Sequence, residues 1–167
     1  LKLGDFTDAE FTAATNLAAT GDDINNINDE DGTTVQAILV RGQAGVAVTV
    51  NVTNLSGSPA YLNGWADFNN NGSLTDTDEQ IVTNVVVPAG TTSDYQTFFF
   101  DVPSTASLGT IGTRFRLTSV SAPGPVGASG NGEVEDYTTT IVAPSSNFRD
   151  YFYAIRSNNG NFYLDEV

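Results

Sequence analysis

The chain has 167 residues, 40% of them hydrophobic, which suits one domain able to bury a core and argues against wholesale disorder. Lys and Arg total 6 against 20 Asp and Glu, a formal charge of −14, so the phosphates of nucleic acid and of anionic membranes would repel it. Cys, His and Met are absent, which removes thiolate nucleophiles, disulfides, Ser-His-Asp triads and the usual ligands of zinc, copper and haem.

The chain starts at Leu1, without a visible signal peptide, and reads as a processed chain or an excised piece. No apolar run approaches transmembrane length, so membrane insertion is not expected. Residues 1–19 form an N-terminal segment, and "DAEFTAATNLAAT" (8–20) is weak helical material that Thr and Asn interrupt. From there the period is 2. "VAVTVNVT" (46–53) sets Val46, Val48, Val50 and Val52 on one face of a half-buried strand. Similar runs lie at 33–41, 59–66, 79–87, 94–102, 113–120 and 135–142, separated by turn-rich spacers such as "NLSGSP" and "PAGTTS". The expected fold is an all-β antiparallel β-sandwich of about seven to nine strands. Residues 143–167, which open with "APSS", form a separate piece, where Asn159-Gly160 between "DYFYAIR" and "NFYLDEV" signals a hairpin turn.

The acids are clustered: Asp22, Asp23, Asp29, Glu30 and Asp31; then Asp67, Asp76, Asp78 and Glu79; then Glu133, Glu135 and Asp136. With so few basic side chains, a hard cation is the simplest way to relieve their repulsion; the bland reading is a solvated acidic surface. "DFNNNGSLTDTDE" (67–79) carries the most specific signal. Numbered from Asp67 as position 1, it places Asn69, Asn71, Gly72, Ser73 and Thr75 at positions 3, 5, 6, 7 and 9, the oxygen spacing of a calcium loop, with the glycine at the sharp bend. Asp78 takes position 12, and Glu79 stands one residue late for the bidentate ligand. Strands flank this loop, so it is not an EF-hand. An Asn/Gly-rich hairpin loop is its bland alternative. Glu133 and Glu135, on one face of "GEVEDY", and Asp136 beside them are candidates to complete the shell, against the reading of an exposed acidic strand edge. The first acidic cluster is a candidate second metal site.

The ordered motifs "TGDDINNINDEDG" (20–32), "AYLNGWADFNNNGSLTDTDEQIV" (60–82), "GTRFRL" (112–117) and "GEVEDY" (132–137) resemble the GEVED domain, a family found in large secreted and cell-surface proteins of bacteria. The resemblance spans roughly residues 20–142. It implies a β-sandwich, an extracellular location and metal binding through the acidic positions above, without established catalysis. This chain has Asn71 where the family usually has Asp.

Other residues have bland readings. Trp65 and Tyr61 share a face and suit either a core or a sugar-stacking platform, the core being favoured. Arg114 and Arg116 are expected to pair with carboxylates. Asn51, Asn54 and Asn71 each open an N-x-Ser/Thr sequon. Paired carboxylates can hydrolyse glycosides, but ligand-spaced acids held ionised by a cation suit that role poorly, so no enzyme is expected. The first functional reading is a calcium-stabilised extracellular structural or adhesive module of a bacterial surface protein, beside neighbouring domains. The second is a self-assembling filament subunit joined through the aromatic tail (Tyr151, Phe152, Tyr153, Ile155, Phe162, Tyr163 and Leu164). The third is a carbohydrate-binding module with a glycan partner.

Overall fold

Val46, Val48, Val50 and Val52 are all fully buried, and the alternation that puts them on one face of a strand also builds the core. A computed structural model describes residues 1–5, 31–127, 131–145, 153–158 and 161–166, the last two stretches through their backbone pairing alone. The strands are β1 (Lys2–Leu3), β2 (Thr33–Thr34), β3 (Ile38–Val40), β4 (Val46–Asn54), β5 (Ala60–Ala66), β6 (Gln80–Val87), β7 (Thr91–Phe100), β8 (Gly109–Thr118), β9 (Gly132–Val142), β10 (Tyr153–Asn158) and β11 (Asn161–Glu166). Among the described residues there is no helix. The weak helical material at 8–20 lies outside them.

Two sheets form a sandwich. In one, β4 is flanked by β1 and β2 along one edge and by β7 along the other. The second has the order β3-β9-β8-β5-β6. The valines of β4 meet Leu62, Val82, Ile111, Phe115, Leu117 and Ile141 of the second sheet in one apolar cluster. Gly64 faces Phe115 across β5 and β8, and the ring lies where a side chain would be: a Cβ at Gly64 would meet it at 2.7 Å. No other residue fits there without displacing the ring.

Two features depart from the expected all-antiparallel arrangement of the run at 33–41. It divides into β2 and β3, which belong to different sheets, and β3 pairs with β9 in parallel. The crossing is held by Thr139 Oγ1, which donates to the Gln36 carbonyl at 2.6 Å, and by Thr140 N, which donates to Ala37 O at 3.0 Å. Period-2 patterning marks residues as extended but does not choose the partner strand, which explains the departure. The expected C-terminal hairpin is present: β10 and β11 pair antiparallel, with Asn158 opposite Asn161.

Candidate functional site

The stretch Asp67–Glu79 joins β5 to β6, and its own side chains fold it. Asp67, 3% exposed, accepts from Asn71 N at 3.1 Å through Oδ1 and from Gly72 N at 2.8 Å through Oδ2. Asn69 Oδ1 accepts from Asn71 N at 3.1 Å, and Asn71 Oδ1 from Ser73 N at 2.8 Å. Four side-chain oxygens, from three residues, are thus turned back towards the loop's backbone. Each keeps a lone pair to spare. Gly72, at φ 83°, makes the bend that the calcium-loop spacing requires. Asp76 Oδ2 accepts from both Asn69 Nδ2 (3.0 Å) and Asn71 Nδ2 (2.7 Å), so the amide nitrogens face Asp76 and the oxygens face the loop. Those two amides hold the Asp76 carboxyl below the usual carboxylate range. Ser73 and Thr75 share a hydroxyl–hydroxyl bond of 2.7 Å on the exposed side.

Glu79 is the departure from a self-satisfied turn. It is 2% exposed, its Oε2 accepts from Asp76 N at 3.2 Å, and its Oε1 is buried without a hydrogen-bond partner. Burial pushes its carboxyl up to about 7, and the nearby Asp67 charge pushes the same way. Asp78, at position 12, is exposed at φ 70°, and no hydrogen bond ties its side chain to the loop. The acid turned into the site is therefore Glu79, at position 13. One face of the loop opens on a small cleft lined by Phe68, Asn69, Thr77, Asp78, Glu79, Pro103, Thr105 and Ala106. Ser107 anchors that face, its N donating to Phe68 O and its Oγ to Asn69 O, both at 2.7 Å.

Among the described residues no three Asp or Glu side chains are grouped so as to hold a metal by carboxylates alone. A cation here would rest on Asp67 and Glu79 with the oxygens of Asn69 and Asn71 and a backbone carbonyl. That donor set fits calcium, a hard ion that accepts amide and carbonyl oxygen, better than any transition metal. The buried, unpartnered Glu79 Oε1 beside a second buried carboxylate supports the fit.

The structure does not bring Glu133, Glu135 and Asp136 to this loop. Asp67 N donates to Gly112 O, and Gly112 sits opposite Thr138 on β9, roughly 10 Å along the strand from Glu135 and farther from Glu133. Nor is "GEVEDY" an exposed edge: Glu133, Val134, Glu135 and Asp136 are all buried. Glu133 and Glu135 share the inward face with Leu117 and Phe115 and clamp the opposite sheet. Glu133 Oε2 accepts from Leu3 N of β1. Glu135 accepts from Gly32 N at 2.9 Å, Thr33 Oγ1 at 3.2 Å and Tyr137 OH at 3.1 Å. Burial pushes Glu135 up to about 7 even though Gly32, Tyr137, Thr33 and Asp31 donate to it. Tyr137 is raised above the ordinary phenol value, first by burial and then by the Glu135 charge.

Asp136 faces outward and makes a bidentate ion pair with Arg114: Nε to Oδ1 at 2.6 Å and Nη2 to Oδ2 at 2.5 Å, both residues nearly inaccessible. The expected pairing of an arginine with the acidic clusters holds for Arg114. Its Nη1 donates to Pro125 O, while Arg116 donates to the Gly124, Val126 and Gly127 carbonyls, so the two arginines bind the loop that covers them. Trp65, 4% exposed, is next to Arg114 in register on this outward face and is not part of the central cluster.

Of the first acidic cluster, Asp22, Asp23, Asp29 and Glu30 lie outside the described residues; Asp31 Oδ1 accepts from Asp5 N at 2.9 Å. Tyr151 and Phe152 also lie outside them, and Tyr153, Ile155, Phe162, Tyr163 and Leu164 are placed in the hairpin strands. The sequons at Asn51 and Asn54 are buried, at 3% and 0% exposure, whereas Asn71 is exposed. Sequence reasoning missed the amide-orienting role of Asp76; the acid at position 10, between two Asn-bearing positions and the loop's end, was the available signal.

The chain is thus an acidic all-β sandwich whose inter-sheet ties are carboxylates. The model of the GEVED domain matches residues 61–140, which supports the resemblance carried by the sequence motifs. The match lies within the 20–142 span of the sequence resemblance and includes both the 67–79 loop and the "GEVEDY" strand. No curated protein and no solved structure matches the chain.

Proposed function

We propose that this chain is a non-enzymatic structural module of an extracellular bacterial protein, stabilised by calcium bound in the 67–79 loop. The observation that carries the reading is Glu79, buried beside Asp67 with one oxygen unpartnered and its carboxyl pushed up to about 7 by burial. A divalent cation between the two acids relieves both their desolvation and their repulsion. Asp67 and Glu79 supply the charge, Asn69 and Asn71 supply neutral oxygen, and Asp76 holds those two amides in orientation. Two carboxylates and several neutral donors suit an affinity of about 10⁻⁴–10⁻³ M, the range of extracellular calcium modules. A chain without Cys has no disulfide to fix its loops, and calcium fills that role outside the cell. The GEVED resemblance to secreted and surface proteins supports the location.

The test is a thermal melt in millimolar calcium, in magnesium and in chelator. Calcium raises the midpoint, chelator lowers it, and magnesium substitutes poorly. Asp67→Ala abolishes the calcium increment and Asp78→Asn leaves it. Identical melts in calcium and chelator reject the reading.

A further inference from the structure

The 67–79 loop contains an Asn-Gly step, Asn71-Gly72, at its sharp bend. An asparagine followed by glycine is the least hindered place for a main-chain nitrogen to attack a side-chain amide, because glycine has no side chain to crowd its own nitrogen. Asn69 and Asn70 are each followed by asparagine and lack that opening. The attack needs the nitrogen close to Cγ, an acceptor for its proton and a donor to the oxygen that becomes negative. It also needs water to carry the leaving nitrogen away.

The folded loop supplies these together. Gly72 N, the nucleophile, donates to Asp67 Oδ2 at 2.8 Å, so a carboxylate stands where the proton must go. Asn71 Oδ1 accepts from Ser73 N at 2.8 Å, and that N–H stays aimed at the oxygen when the amide carbon becomes tetrahedral. The same bond closes a ring through the Gly72 peptide, which folds the amide back over the nitrogen that attacks it. Asn71 Nδ2 donates to Asp76 Oδ2 at 2.7 Å, which fixes the leaving nitrogen opposite the oxygen. Asn71 is exposed, so water reaches the site. Two other Asn-Gly steps among the described residues lack this setting. Asn63-Gly64 lies inside β5, with Asn63 fully buried and Gly64 paired to strands on both sides. Gly132 opens β9 opposite Thr118, its Cβ position lies 2.7 Å from Leu117 O, and Asn131 O accepts from Ser119 N.

We propose that Asn71-Gly72 is a self-modification site, at which the folded loop converts its own amide to a carboxylate through a succinimide. Gly72 N forms a bond to Asn71 Cγ, and its proton passes to Asp67 Oδ2. The Cγ–Nδ2 bond then breaks, and Nδ2 takes a proton back through water and leaves as ammonia. Nothing is oxidised or reduced. Water opens the succinimide at Cγ to give aspartate, or at the main-chain carbonyl to give isoaspartate. Either product carries a charge where the chain had a neutral amide, and the loop gains an acid beside Asp67 and Asp76. This goes beyond the calcium reading and does not depend on it.

Peptide mass spectrometry of the full-length chain tests it. The chain is incubated in chelator at neutral pH, folded and in urea, and each Asn-Gly step is read for loss of ammonia and for the later change from amide to acid. In the folded chain Asn71 converts about tenfold or more faster than Asn63 and Asn131, a small part of what a positioned proton acceptor and oxyanion donor supply. In urea Asn71 slows and the three steps converge, because each then has only its glycine. Asp67→Asn, its folding checked by the emission of buried Trp65, lowers the folded rate at Asn71 by about tenfold and leaves Asn131 unchanged. An Asn71 that converts no faster folded than in urea overturns the inference, since the loop's hydrogen bonds then protect the amide. So does Asp67→Asn converting at the native rate. If that variant does not fold, the comparison of the native chain folded and in urea decides alone.

Discussion

Glu79→Gln is expected to change sign with calcium. Glu79 is 2% exposed, and burial, with Asp67 adding to it, pushes its carboxyl from 4.5 up to about 7. Below pH 4.5 the side chain is protonated in both states and costs nothing. Between 4.5 and 7 the unfolded chain ionises first, so stability falls as pH rises through that window. Forcing ionisation at pH 8 costs at most about 3 kcal/mol, and water on the solvent-facing side of the loop screens this to roughly 1–2 kcal/mol. Gln keeps the shape without the charge. Glu79→Gln in chelator therefore gains roughly 1–2 kcal/mol at pH 8 and nothing at pH 4. In calcium the charge is needed: a ligand at one hundred times its Kd adds about 2.7 kcal/mol to the native chain, and the variant loses most of that increment. Urea unfolding followed by Trp65 emission, at both pH values with and without calcium, measures all four cases. A variant less stable than the native chain in chelator at pH 8, or one keeping the full calcium increment, refutes the reasoning.

Asp76→Ala removes the acceptor that holds Asn69 and Asn71, and calcium titration should show affinity lower by about tenfold, the usual effect of losing a group that orients ligands. Asp136→Ala leaves the Arg114 guanidinium buried without its carboxylate and should cost about 3–5 kcal/mol in denaturant unfolding, whereas Arg114→Met/Asp136→Leu recovers most of it. Glu135, also pushed up to about 7 by burial, makes stability fall as pH rises from 4.5 to 7. Measured in saturating calcium, Glu135→Gln should flatten that slope; an unchanged slope excludes Glu135 as its source.

The sequence by itself determined the strands and the loop. Alternation is local, so Val46 to Val52 declare their face without a partner, and the 67–79 oxygens and Gly72 are bonded mainly to one another. The family resemblance was legible for the same reason, since its motifs are contiguous stretches and the match falls on residues 61–140. Which sheet a strand joins depends on residues far away in the chain. That is why the run at 33–41 read as one strand, and why Glu133 and Glu135 read as metal ligands. Alternation placed those two acids on one face but did not say that Leu3 and Gly32 would meet them there, 130 and 103 positions away. The same limit hid the direction of Asp136: spacing shows that it opposes Glu135, and only the β8–β9 register puts Arg114 beside it. Likewise the loop's spacing offered Asp78 at position 12, but in the fold Asp78 stands exposed at φ 70° and the buried acid is Glu79, at position 13. Local chemistry is written in neighbouring residues; the partners of buried charges are chosen by the tertiary structure, because burial itself is a property of the whole fold.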